Sequence, residues 1–293
     1  MDSSSISSII SNSINDMFSS IFSSIDNNIY STLDNFTFIN SDILNDSFFI
    51  ELFGSSGKDG ILLIANALIF GFLLYYSFKL IFSYLGLTEV EKPFSFLFKL
   101  LLCSILMNFS FFICDEIIYL ISILSSSIRG LGETLFNDKI CFSTLILKLN
   151  SVLTSTANSS TNIFSMDGIL HSIVSIGFLN LIITYGIRYM LIKIFVFLSP
   201  FCFLSLCNKN TSILFKSWFK SFLSLLLIQV FVSIILLVIF SLKISANDTF
   251  SKFVLISSIF ILMKANSYVK EMLGGISSDA GTSFSNLISS IKK

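Results

Sequence analysis

The sequence predicts an all-α, polytopic helical membrane protein with about five transmembrane helices plus amphipathic helices at both ends. Of its 293 residues, 54% are hydrophobic and 12% charged, with a mean hydropathy of +0.87, against about 25% charged residues in soluble domains. Apolar stretches of about 20 residues or more recur, the length a helix needs to cross a hydrocarbon core of roughly 30 Å. These stretches are continuous and do not alternate with period two, which favours helices over an outer-membrane barrel. The formal net charge is zero, which argues against a global basic surface for nucleic acid.

Residues 1–59 read as an extracytoplasmic amphipathic helix and loop. Ile6, Ile9, Ile10, Ile14, Met17, Ile21, Phe22, Ile25, Ile29 and Leu33 recur at helical steps. The opposite face is acidic, which disfavours attraction to anionic lipid. Met1 is followed by Asp2 and serines, unlike the basic start of a signal peptide. Residues 40–60, rich in Gly and Ser at the end, read as a loop leading to the membrane.

Residues 60–124 hold the first two transmembrane helices, expected at 60–85 and 96–124, with a short turn between them. Residues 125–167 read as an extracytoplasmic central loop, part helical around 145–153. Residues 168–264 hold three more transmembrane helices. The apolar run 168–206 as one straight helix measures roughly 58 Å at 1.5 Å per residue, too long for a bilayer. A span at 169–189 is therefore expected, followed by an inner extension broken near Pro200. The remaining spans fall at 219–242 and 253–263, the second unusually short, and residues 265–293 form a cytoplasmic amphipathic tail.

The distribution of basic residues orients this arrangement. Residues 1–59 carry Lys58 against eight acids, and twelve of the 18 Lys and Arg residues lie in segments assigned to the inner side. The N-terminus is thus expected outside and the C-terminus in the cytoplasm of a bacterial inner or plasma membrane. A six-span alternative, with 168–206 crossing twice, places Lys209, Lys216 and Lys220 outside and ranks second.

Chemistry-bearing residues are sparse. The elbow at 198–220 carries Pro200, one of two prolines, and Trp218, the sole tryptophan, beside Phe215. Arg188, Lys193, Lys209, Lys216 and Lys220 form a basic face without an acid, expected at the cytoplasmic surface. That face is a topology signal and, on a second reading, a docking surface for an acidic protein or a cytoplasmic ATPase. Asn108, Asp115 and Glu116 are candidates for an intramembrane polar site. His171 is the sole histidine, too few for a metal cluster. The five cysteines lack CxxC spacing and read as small buried hydrophobes. No motif for catalysis, a metal or a cofactor is present, so a non-enzymatic role is expected.

The elbow resembles a known family. Leu198-Ser199-Pro200, a short apolar return, a polar turn, then Phe215-Lys216-Ser217-Trp218-Phe219 and a span containing Gln229 are similar to the polytopic inner-membrane subunit of type IV secretion and conjugation machines, the TrbL-like family. The last span, running into Met263-Lys264-Ala265-Asn266 and then Val269-Lys270-Glu271-Met272-Leu273-Gly274-Gly275, looks like that family's ending. The resemblance covers roughly residues 168–281. It implies a channel or scaffold component that helps DNA or protein cross the membrane, in contact with other machine subunits and cytoplasmic ATPases. Homo-oligomers in the bilayer and only transient contact with the transported DNA or protein are expected, with Pro200 and Trp218 shaping the core. The alternative is a small-solute or ion transporter using Asp115 and Glu116.

Overall fold

The computed structural model describes residues 32–54, 60–86, 92–154, 166–208, 211–242 and 249–273. Among them every regular element is helical. A helix at 32–37 (α1) is followed by a 3-10 turn at Ser41–Leu44 and by α2 at Ser47–Phe53. Then come α3 (Ile61–Tyr84), α4 (Pro93–Asn108), α5 (Ser110–Phe136), α6 (Phe142–Thr154), α7 (Met166–Leu204), α8 (Ser212–Ser241) and α9 (Thr249–Leu273). Five helical stretches are long and apolar enough to cross a bilayer: Ile61–Tyr84, Ser110–Phe136, Ser172–Cys207, Ser212–Ser241 and Phe250–Met272. The chain is thus a multi-pass helical membrane protein, and the run 168–206 enters this count as one crossing.

Helices α5, α7, α8 and α9 form the core, and α4 packs on the C-terminal part of α7. Helices α7 and α8 run antiparallel, because Trp218 meets Phe195 and Leu225 meets Arg188 as the chain returns. Helix α5 runs alongside α8 in the same direction, Ser125 meeting Ser233 and Gly132 facing Leu237. Helix α3 is the least enclosed, with Phe70, Leu74, Phe78 and Phe82 all exposed. Apolar side chains facing outward along a span are what lipid, or a neighbouring helix, covers.

Several boundaries differ from expectation for identifiable reasons. The expected span 96–124 is two helices, α4 and α5, bent at Phe109. Helix α5 continues through residues assigned to the central loop and ends at Phe136, where Asn137 takes a left-handed conformation (φ 55°) and its N–H returns to Glu133 O. The serines at 125–127 do not end it, since Ser125 is buried against Gln229 O and Ser233. Helix α7 passes straight through Pro200. Proline leaves the Val196 carbonyl without its usual donor, and Ser199 Oγ donates to that oxygen at 2.7 Å, so the helix persists for another turn. Helix α9 runs 25 residues and outlasts the expected 253–263 because Ala265, Asn266 and Val269 stay buried while Lys264 and Lys270 face out.

The largest departure concerns the beginning of the described chain. Residues 40–54 are not a loop outside the helices, and Leu33, Ile39, Leu44, Phe49 and Phe53 are all buried in the common core. The segment 32–53 is a broken helical strap laid between α5, α7 and α8. Phe36 packs on Tyr189, and further along Phe49 and Phe53 pack on Phe111 and Phe197. Local chemistry delimits α2: Asp46 accepts from Phe48 N as N-cap, and Gly54 closes the C-terminus at φ 90°. The expected amphipathic stretch from Ile6 to Ile29 lies outside the described residues, as does most of the C-terminal tail.

Asp34 joins the strap to α6. Its carboxylate accepts from Phe142 N at 2.8 Å, Ser143 N at 3.2 Å and Ser143 Oγ at 2.6 Å, capping a helix more than a hundred residues away. A carboxylate at a helix N-terminus satisfies orphan amides and faces the positive end of the dipole. Asp34→Ala is expected to cost about 1–2 kcal/mol and to accelerate hydrogen exchange at the Phe142 and Ser143 amides. Unchanged protection there would show that the cap contributes nothing.

Candidate functional site

Three long helices and the strap bring polar groups to one level of the protein. Arg188 lies near the middle of Ser172–Cys207, Leu225 near the middle of Ser212–Ser241 and Ser125 near the middle of Ser110–Phe136. Arg188 is completely buried. Its Nε donates to Leu225 O at 2.6 Å and its Nη1 to Thr37 O at 2.9 Å. Thr37 is the last residue of α1, so that carbonyl belongs to the negative end of a helix.

A second bond closes a ring. Ile39 N donates to Gln229 Oε1 at 2.9 Å, and Gln229 stands one helical turn beyond Leu225 on α8. The circuit runs from Arg188 to Leu225, along α8 to Gln229, across to Ile39, back along the strap to Thr37 and so to Arg188. The break between α1 and the 3-10 turn makes this possible, because an unbroken helix offers neither a free carbonyl at Thr37 nor a free amide at Ile39. Ser125 and Ser233 extend the polar level beside Gln229 O, with their hydroxyls 2.8 Å apart.

Two further bases hold the strap through its rings. Arg129 lies 3.9 Å from the centre of the Phe38 ring, and Lys193 lies 5.4 Å from the ring centres of both Phe49 and Tyr189. Lys193 is also 4.0 Å from the Asp46 carboxylate. Such cation–π contacts strengthen where the cation is desolvated.

The expected basic surface is therefore not one face. Arg188 is interior because two helical carbonyls replace its water shell, and Lys193 is half-buried against the strap. Lys216 and Lys220 are exposed at the start of α8, and Lys209 lies outside the described residues. Trp218 is buried, its Nε1 donating to Phe195 O at 2.9 Å. Its indole stacks on Phe222 at 5.4 Å and meets Phe203 and Phe215 at 5.7 Å. Pro200 is buried one helical turn before Leu204. Proline, tryptophan and Phe215 thus sit at one rigid corner between α7 and α8.

Asn108, Asp115 and Glu116 lie on α4 and α5, on either side of the bend at Phe109. Asn108 pairs across helices with Asn66, both amide contacts being 3.4 Å. Its amide also donates to Ser104 O. Asp115 is half-buried and Glu116 exposed, and neither joins Asn108 by a hydrogen bond. Asn–Asn pairs between apolar helices contribute modestly, so a double-mutant cycle of Asn66→Ala and Asn108→Ala is expected to give a coupling of about 0.6 kcal/mol. A value indistinguishable from zero would remove the pair as a link between α3 and α4.

Cys103, Cys114 and Cys207 are buried, as expected of small interior groups, while Cys141 and Cys202 are half-buried. No group of three or more His, Cys, Asp or Glu is placed to hold a metal among the described residues. A groove of about 400 Å³ runs between α7 and α9, lined by Ile176, Gly177, Ile256, Ile259 and Phe260 with Asn180 as its polar member.

Sequence reasoning singled out Arg188 as a surface base and named Gln229 only within the resemblance, and it did not find their partners. Thr37, Ile39 and the Leu225 carbonyl carry no compositional signal, and Arg129 fell in a segment read as loop. Comparison with protein-family models, with curated proteins and with solved structures returns no match. The class defined by fold and site is a multi-pass helical membrane protein with a polar, arginine-centred interior.

Proposed function

We propose that this protein is a non-enzymatic channel or scaffold subunit of a type IV secretion or conjugative transfer machine, similar to the TrbL-like inner-membrane component. The observation that carries this reading is the corner between α7 and α8. Of the residues on which the resemblance rests, Phe215 and Trp218 pack together there, and Pro200 is buried in the last turns of α7. Trp218 is tied to Phe195 O, a use of indole that fixes two antiparallel helices rather than anchoring a helix at a lipid interface.

The reading places the N-terminus outside and the C-terminus in the cytoplasm of a bacterial inner membrane. Exposed Lys216 and Lys220 at the corner face the cytoplasm in that orientation and offer contact to acidic partners such as transfer ATPases. The outward apolar faces of α3 and α4 suit lipid and neighbouring subunits, including further copies of this chain.

The experiment is genetic. Deleting the gene in a conjugation-competent host is expected to abolish transfer, and complementation in trans to restore it, with a conjugation ATPase and a coupling protein encoded nearby. Transfer unaffected by the deletion would refute the proposal. Loss of uptake of a small solute in the same strain would instead favour a transporter.

A further inference from the structure

Three buried polar groups around Arg188 are left unused. Arg188 Nη2, Gln229 Nε2 and Thr37 Oγ1 have no hydrogen-bond partner, and all three residues are completely buried. They belong to the one ring already described, in which Thr37 O serves Arg188 and Ile39 N serves Gln229. We infer that this ring is a binding site for a small inorganic anion of the halide class, with Arg188 as its cation.

The argument is one of charge as well as hydrogen bonding. A guanidinium stays protonated in proteins. Among the described residues Arg188 has no carboxylate partner, in contrast to Lys148 with Asp138 and Lys193 with Asp46. The carbonyls of Thr37 and Leu225 supply partial negative charge, and the C-terminus of α1 contributes about half a unit at most. That leaves a net positive charge at the middle of the apolar helices, where an uncompensated ion is strongly disfavoured.

A halide supplies a full negative charge and accepts from a guanidinium, an amide and a hydroxyl without demanding one direction. Complete burial of all three residues argues against an acidic side chain of a partner or a larger organic acid, each of which needs an open path to the surface. The competing occupant is water, which accepts the same hydrogen bonds and leaves the charge in place. The two differ in a measurable way.

The test uses the full chain purified in detergent micelles or nanodiscs, with chloride as the probe and gluconate as the control at equal ionic strength. In about 100 mM chloride the unfolding midpoint is expected to lie about 5 °C above that in gluconate, for a site of millimolar affinity. The chlorine-35 resonance is expected to broaden and to sharpen again when bromide displaces chloride. Gln229→Glu keeps an oxygen to accept from Ile39 N and brings a built-in carboxylate to the ring. This variant is expected to hold its midpoint in gluconate and to lose both the broadening and the chloride dependence. Wild-type protein with equal midpoints in the two salts and no broadening would mean a water only and overturn the inference. A Gln229→Glu variant that still required chloride as the wild type does would overturn it too. Neither readout depends on transfer activity, so the anion site and the secretion role stand or fall separately.

Discussion

Arg188→Ala is expected to lower the free energy of unfolding by about 4 kcal/mol. Two helical carbonyls, Thr37 O and Leu225 O, lose donors they depend on in a region that water reaches poorly. The deleted side chain also leaves a void in a packed interior. The strap should loosen first, because Arg188 holds its C-terminal turn of α1, and limited proteolysis should then cut within 32–54. Arg188→Lys is expected to recover part of the loss, since an ammonium keeps the charge but lacks the planar fork that reaches two carbonyls. Denaturation in detergent measures both; an alanine variant as stable as the wild type would show that the ring holds nothing.

Trp218→Ala is expected to cost about 4 kcal/mol, the usual range for removing a buried large aromatic. The indole links α8 to α7 through Phe195 O and fills the space between Phe203, Phe215 and Phe222. Trp218→Phe keeps most of the ring contacts and loses the hydrogen bond, for about 1 kcal/mol. If the corner serves transfer, mating efficiency normalised to the amount of protein in the membrane should fall for Trp218→Ala and stay near wild type for Trp218→Phe. Equal efficiencies for all three forms at equal protein levels would detach the corner from transfer.

Which parts of this molecule were legible follows from what kind of signal a sequence carries. The spans were legible because twenty apolar residues in a row have few uses besides crossing a bilayer. Their limits were less so, because Ser125 and Asn266 look like loop residues in a linear reading but are interior polar groups with helical neighbours. Pro200 looked like a break, and the Ser199 hydroxyl that preserves the helix is a local detail of a common residue. The strap was misread most. Its caps, Asp46 and Gly54, delimit α2 in a segment read as loop, and nothing local tells whether such a segment lies on the surface or between helices. Arg188 was misassigned for a related reason: counting bases for topology treats every arginine as a surface charge, and burial is decided by carbonyls 37 residues ahead and 151 behind.

The strap also sets an order of events during biosynthesis. Ile39 N finds its acceptor on Gln229, 190 positions later in the chain. At roughly 5–20 residues per second of synthesis, residues 32–53 leave the ribosome about ten to forty seconds before that acceptor is made. The first described segment of the polypeptide is therefore completed only once α8 has been made. Until α5 and α7 emerge, Phe36, Phe49 and Phe53 lack the rings they pack on, Phe111, Tyr189 and Phe197, and the nascent protein depends on lipid or an insertion partner to cover them.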